Sequence, residues 1–256
     1  ALVTGNMIGS GIFLLPASLA SYGSISLLAW VFTSAGALLL ALVFAKLGTV
    51  MPRIGGPYAY CREAFGDFVG FQMAYNYWVA LWVGNAAIAV AFTGYLGFFW
   101  PALKSSTQLS FFVTAGVVWL MTVINIIGVR RAGMVQLVTT VLKLMPLILI
   151  ATLGLLFVEP SNLQHFNLTG KSDFSALSGA ATLTLWAFIG LESATVPAEN
   201  VENPQRNIAR ATIFGVLIAA LVYIFSTLAV MGTISSEQLA HSTSPFADAA
   251  KIMFGP

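Results

Sequence analysis

Apolar residues run along this chain in blocks long enough to cross a bilayer, with short polar loops between them. Seven such segments can be drawn, at about 1–21, 25–50, 67–100, 109–128, 133–158, 176–202 and 208–234. A helix needs about 20 apolar residues to span the hydrocarbon core, so each segment predicts a transmembrane helix. The third is long for one span and must tilt or project beyond the bilayer. Two segments carry marks of interruption. The first contains Gly5-Asn6-Met7-Ile8-Gly9-Ser10-Gly11-Ile12-Phe13, with three glycines and a serine in nine residues. Glycine costs about 1 kcal/mol relative to alanine in a helix interior. The sixth segment contains Gly190 and, seven residues later, Pro197.

The polar loops sort the cations. Lys46, Arg53, Arg62, Arg130, Arg131, Arg206 and Arg210 follow even-numbered segments, whereas the alternate loops hold only Lys104 and Lys171. Seven against two puts the cation-rich loops, and the N-terminus with them, on the cytosolic side.

Composition agrees. Of 256 residues, 58% are hydrophobic and 8% charged. An ordinary soluble domain carries about 25% charged residues. The net charge of +2 argues against nucleic acid as a partner. A lone cysteine, Cys61, excludes an internal disulfide, and two histidines, His165 and His241, offer no metal-ligand cluster. No cofactor motif is present. The Gly55-Gly56-Pro57 loop lacks the lysine of a nucleotide-binding glycine loop. No nucleophile elbow or paired carboxylate suggests an enzyme. The chain starts without methionine and stops while another apolar segment, Phe246–Phe254, is forming, so a fragment of a longer protein is expected.

An interrupted helix in lipid frees backbone groups that need partners, and unwound backbone is tolerated only against protein or a cavity. A substrate can supply those partners. The N–H groups of Ser10 and Gly11, at the start of a new half-helix, suit a carboxylate. Carbonyls just before the break suit an ammonium group. The alternative for the first segment alone is a close-packing glycine face. The sixth segment adds weight to the substrate reading. Ile8-Gly9, six residues, then Pro16-Ala17 is echoed by Ile189-Gly190, six residues, then Pro197-Ala198. Two five-helix inverted repeats place their broken helices at segments one and six, with both breaks near the midplane.

Glu192 follows this second break. A carboxylate at membrane depth is costly and usually marks an ion path, a proton relay or a substrate site. A desolvated carboxylate suits a proton-coupled or pH-gated switch; the alternative is a glutamate reaching a wet cytosolic vestibule. Lys143 is a second intramembrane charge. It lies twelve residues beyond Arg131, roughly 18 Å along a helix. A cation there can replace a bound sodium ion, or face a polar interface between helices. Trp186 lies four residues before Gly190 and is placed to stack on a substrate side chain. Asn85 is a polar side chain deep in segment three; it can bond a ligand or a neighbouring helix.

Three runs carry a family resemblance: Gly9-Ser10-Gly11-Ile12-Phe13, Gly55-Gly56-Pro57-Tyr58-Ala59-Tyr60 and Trp186-Ala187-Phe188-Ile189-Gly190-Leu191-Glu192-Ser193-Ala194. They resemble the amino acid–polyamine–organocation transporters, especially the bacterial basic amino acid/polyamine antiporters. The run Val201–Asn207 looks like that family's loop after the sixth helix. The resemblance implies an all-α polytopic membrane protein with the five-plus-five inverted-repeat fold, helices 1 and 6 broken. This chain would form one transmembrane domain holding about the first seven helices, with the first repeat at about 1–158 and the second starting near 176. It implies a substrate carboxylate at Ser10 and Gly11, and an α-ammonium at the carbonyls of Met7, Trp186 and Ile189. Asn6, Ile8, Gly9 and Ala187 would complete that wall. Tyr77, Ala80, Leu81 and Asn85 would face it from segment three. Glu192, Lys143 and Tyr77 would serve gating and proton coupling. Leu81 and Ala187 depart from more polar residues in the arginine/agmatine antiporter, which leaves the substrate side chain open.

The expected function is secondary active transport of amino acids across a bacterial inner membrane by alternating access, as a basic amino acid/polyamine antiporter. No cofactor or metal is implied. Protons, the lipid bilayer and a second copy of the chain are the expected partners beside the small-molecule substrate. A proton-coupled permease for neutral amino acids is the alternative within the class. A channel or a structural membrane subunit is the alternative outside it. A channel needs a polar stripe along its lumen, whereas the deep polar groups here gather near two breaks.

Overall fold

The computed structural model describes residues 2–242 and 244–255; the side chains of Ser10, Phe98, Lys104, Val129, Arg130 and Asn200 lie outside the described residues. Among the described residues the chain is helical, without strands. In chain order the helices are α1 (Leu2–Met7), α2 (Ser10–Ala20), α3 (Ile25–Val50), α4 (Pro57–Phe65), α5 (Asp67–Phe99) and α6 (Ala102–Ser105). Then come α7 (Thr107–Ile127), α8 (Val129–Thr152), α9 (Asp173–Trp186), α10 (Pro204–Thr233), α11 (Ser236–Ala240) and α12 (Pro245–Phe254). Five helical stretches are long and apolar enough to cross a membrane: Ile25–Val50, Asp67–Gly97, Thr107–Ile127, Arg131–Phe157 and Pro204–Thr233. The other two expected segments are the interrupted ones. The first is split into α1 and α2 at Ile8-Gly9. The sixth leaves α-helical geometry after Trp186.

The second half of segment six differs from a simple pair of half-helices. After Gly190 the chain descends in tight turns, with 3-10 helices at Ser193–Thr195 and Ala198–Asn200. The cause is local. Pro197 has no N–H to donate, and the Thr195 hydroxyl bonds back to the Glu192 carbonyl at 2.6 Å. Asn203, in the left-handed region at φ 47°, turns the chain into α10, and Pro204 opens that helix. Pro16 and Pro146, by contrast, sit inside α2 and α8 without ending them.

The chain divides into two units, one of residues 1–56 and 139–256, the other of residues 57–138. In the first unit α10 and α9 both pack against α3. The contact face of α3 is lined by small residues, Ala29, Ala37, Ala41, Ala45 and Gly48, together with Trp30. Small residues let helix backbones approach closely, which is what drives helix association where lipid removes the hydrophobic force. At Gly48 the approach is complete: a Cβ there would lie 2.7 Å from Ile208. Thr33 and Thr184 join α3 to α9 by a buried hydroxyl–hydroxyl bond of 3.0 Å.

The loop after α3 docks on the distal part of segment six. Gly55 N–H donates to the Val196 carbonyl at 3.1 Å, and Ile54 N–H to Glu199 Oε1 at 3.4 Å. The loop 158–172 returns to the start of α3. Ser24 and Ile25 N–H donate to the carbonyls of His165 and Phe166, at 3.0 and 2.8 Å. These carbonyls satisfy donors that the Ser24 side chain leaves uncapped.

In the second unit α4 and α5 meet at Gly66, whose φ of +87° turns the chain between them. Arg62 Nε donates to Asp67 Oδ1 at 2.7 Å and Nη1 to Tyr58 Oη at 3.1 Å. The bond to Asp67, and then that to Tyr58, raise the guanidinium pKa, so it stays cationic. α5 and α7 are joined by the Thr93–Thr114 hydroxyl pair at 2.8 Å. Phe71, Tyr75, Trp78 and Trp82 form a ladder of rings 6.2–6.3 Å apart along one face of α5.

Candidate functional site

The two breaks meet inside the first unit. Gly190 adopts φ +102°, and a Cβ built there would lie 3.0 Å from Asn6 Cβ, 3.3 Å from the Asn6 carbonyl carbon and 3.4 Å from Met7 N. Segment six is therefore folded against the end of α1 at Gly190, in the turns that follow α9. Above this contact α2 begins afresh. Its N-cap, Gly9, makes no side-chain capping bond. The open N–H groups of the first turn, at Ser10 and Gly11, carry the partial positive charge of a helix start. A Cβ at Gly9 or Gly11 would meet nothing within 4 Å.

The end of α1 has its own cap. Gly9 N–H, which would bond the Gly5 carbonyl in a continuous helix, turns to the Met7 carbonyl at 2.9 Å. The Gly5 carbonyl accepts instead from Lys143 Nζ on α8. A cation at a helix C-terminus satisfies both the orphan carbonyl and the dipole. Lys143 is half-buried, and its bond to the Gly5 carbonyl accounts for its place.

Segment six shows the complementary arrangement. Ile189 N–H bonds the Trp186 carbonyl at 3.1 Å and Leu191 N–H the Phe188 carbonyl at 3.3 Å. Gly190 N–H leaves this series and donates to Glu192 Oε2 at 3.2 Å. The Glu192 carboxylate thus turns back onto the break, and its side chain is half-buried. The Tyr223 hydroxyl of α10 donates to the Ala187 carbonyl at 3.0 Å. Its ring packs with Trp30 and Phe188, centroids 5.0 and 5.4 Å away.

Of the residues singled out in the sequence, one unit brings together Asn6, Met7, Ile8, Gly9, Gly11, Lys143, Trp186, Ala187, Ile189 and Glu192. The Ser10 side chain lies outside the described residues. Met7, Ile8 and Ala187 are buried, at 4%, 0% and 6% exposure, so they offer backbone rather than side chain. Trp186 and Ile189 project outward, 67% and 64% exposed. Tyr77, Ala80, Leu81 and Asn85 belong to the other unit, on α5; Tyr77 is half-buried, and the other three are exposed. Tyr223 is the participant that sequence reading missed. A tyrosine among aliphatic residues of α10 reads as packing, and only its position opposite the break reveals the hydroxyl's partner.

Comparison with known proteins agrees with these features. The amino acid permease family profile matches residues 1–256. The chain is 38% identical over 252 residues to the putrescine transporter PotE of Escherichia coli (strain K12), covering 98% of this chain and 57% of PotE. It is 37% identical over 255 residues to the cadaverine/lysine antiporter of the same strain, covering 99% of this chain and 57% of that protein. The chain therefore spans a little over half the length of these relatives. With a match along its whole length, interrupted first and sixth segments and five further spans, the chain belongs to the amino acid permease family.

Proposed function

We propose that this chain forms the substrate-binding core of a secondary transporter that exchanges basic amino acids and polyamines across a bacterial inner membrane. The observation that carries the reading is the meeting of the two breaks at Gly190 and Asn6–Met7, beside the open first turn of α2. A zwitterionic substrate finds complementary ends there: N–H donors at Ser10 and Gly11 for its carboxylate, carbonyls of the broken segments for its ammonium group. Trp186 supplies a ring for the substrate's aliphatic or cationic side chain. The relatives named above handle putrescine, cadaverine and lysine, all amines, which supports the same substrate class here.

In this reading the N-terminus is cytosolic, as the loop cations require. Residues 1–158 form the first of two inverted repeats, and the second begins near 176. Tyr77, Ala80, Leu81 and Asn85 of segment three are the further substrate-binding residues that the family reading proposes. Protons are the coupling ion, with Glu192 as the gate. A second reading, a proton-coupled permease for neutral amino acids, draws on Lys143, whose ammonium occupies the end of α1 as a fixed cation would.

The test is exchange by the full-length protein in liposomes, with labelled arginine, lysine, ornithine, putrescine and leucine at two pH values. External amine or basic amino acid should drive release of labelled substrate with saturation. Stimulation by leucine alone favours the permease, and no exchange of any compound sinks the transport reading. Trp186→Ala should raise KM for the preferred substrate about tenfold with little change in Vmax. Glu192→Gln keeps an acceptor for Gly190 N–H but removes the charge. Its exchange rate should lose its pH dependence; an unaltered pH profile rules out Glu192 as the gate.

A further inference from the structure

In a regular run of i→i−3 turns, Gly190 N–H would donate to the Ala187 carbonyl. Both groups are engaged elsewhere, the N–H by Glu192 Oε2 at 3.2 Å and the carbonyl by the Tyr223 hydroxyl at 3.0 Å. Two side chains thus replace one missing backbone bond, each holding one of its ends. Ile189 N–H to Trp186 and Leu191 N–H to Phe188 keep their bonds on either side of Gly190, whose φ is +102°.

Tyr223 is fully buried. Phenylalanine would fill the same space against Trp30 and Phe188. A hydroxyl in so dry a place is unfavourable unless bonded, and its bond goes to the broken segment. The partner lies 36 residues away on another helix. The shape of the break is therefore set by α10 and not by segment six alone.

We propose that Tyr223 is a positioning residue for the substrate site. Its hydroxyl holds segment six unwound at Ala187, so that Trp186 and Ile189 stay turned outward at the break. The inference rests on the transport reading and deepens it. Without the Tyr223 bond segment six can turn at Gly190 so that its N–H passes from Glu192 Oε2 to the Ala187 carbonyl, which adds one turn bond to segment six and ends the Glu192 bond to Gly190 in the same step. Tyr223 and Glu192 act as a pair with two arrangements, both ends held or both released.

The experiment uses the full-length protein in liposomes, with exchange of labelled putrescine, ornithine, lysine, arginine and leucine, and compares Tyr223→Phe, Glu192→Ala and the double variant. Tyr223→Phe keeps the ring and removes only the hydroxyl. It should raise KM about tenfold while Vmax stays within about twofold. In the double variant the two effects on KM should be clearly less than additive, because each substitution releases the same element. A KM within about twofold of the unsubstituted protein overturns the proposal. Strictly additive effects overturn it as well, as does a Tyr223→Phe protein that fails to reach the membrane, since these mark a packing role. An unsubstituted protein that exchanges none of the compounds defeats the transport reading itself, whatever the variants do.

Discussion

Gly190→Ala is expected to abolish exchange and to destabilise the protein. At φ +102° an L-residue is strained, and the added methyl would press on Asn6 Cβ at 3.0 Å and on backbone atoms of Asn6 and Met7 at 3.3 and 3.4 Å. Backbone atoms cannot rotate aside as a side-chain tip can. Strain and crowding together should cost about 2–4 kcal/mol, and the displaced break should reduce exchange by roughly a hundredfold or more. The thermal midpoint of purified protein and the counterflow rate measure the two effects. Gly9→Ala provides the comparison for stability. Gly9 has φ −111°, and a methyl there meets nothing within 4 Å, so the midpoint should stay within about 1 °C. Equal midpoints for both variants would show that the breaks do not bear on each other at Gly190.

Lys143→Met should have the second large effect. Methionine approximates the length of the lysine stem and brings no donor. The Gly5 carbonyl, already deprived of Gly9 N–H, would lose the Lys143 ammonium as well. A buried carbonyl left without a partner costs about 1–3 kcal/mol, so exchange should fall at least about tenfold. The same liposome assay measures it, together with the amount of protein in the membrane. Undiminished exchange by Lys143→Met would show that the end of α1 is held by something other than this ammonium group.

The spans were legible because twenty or so apolar residues in a row have few alternatives in a protein with 8% charged residues. The interruptions were legible for a related reason. Gly9 lies between α1 and α2, and Gly190 lies in the turns that follow the end of α9 at Trp186. The turns beyond Gly190 were less so. Pro197 predicts a break, but the 3-10 geometry of 193–200 comes from the Thr195 hydroxyl and Glu192 acting together. Partners were not legible at all. Nothing in the run Thr140–Pro146 says that Lys143 reaches Gly5, and nothing around Tyr223 says that its hydroxyl serves Ala187. Both bonds depend on which helices lie side by side, a property of packing that no local pattern encodes. The division into two units, residues 57–138 and the remainder, was likewise outside the reach of hydropathy.

The cap on α1 has a consequence for biosynthesis. Gly5 and Lys143 are separated by 138 residues. At ordinary elongation rates the ammonium emerges from the ribosome on the order of ten seconds after the carbonyl it serves. Until then the backbone at the junction of α1 and α2 lacks this partner, a poor guest for lipid. It has to wait in the insertion machinery, or against water, while four further segments are made. Slowing translation between α3 and α8 should therefore lower the yield of inserted protein more than slowing it after α8.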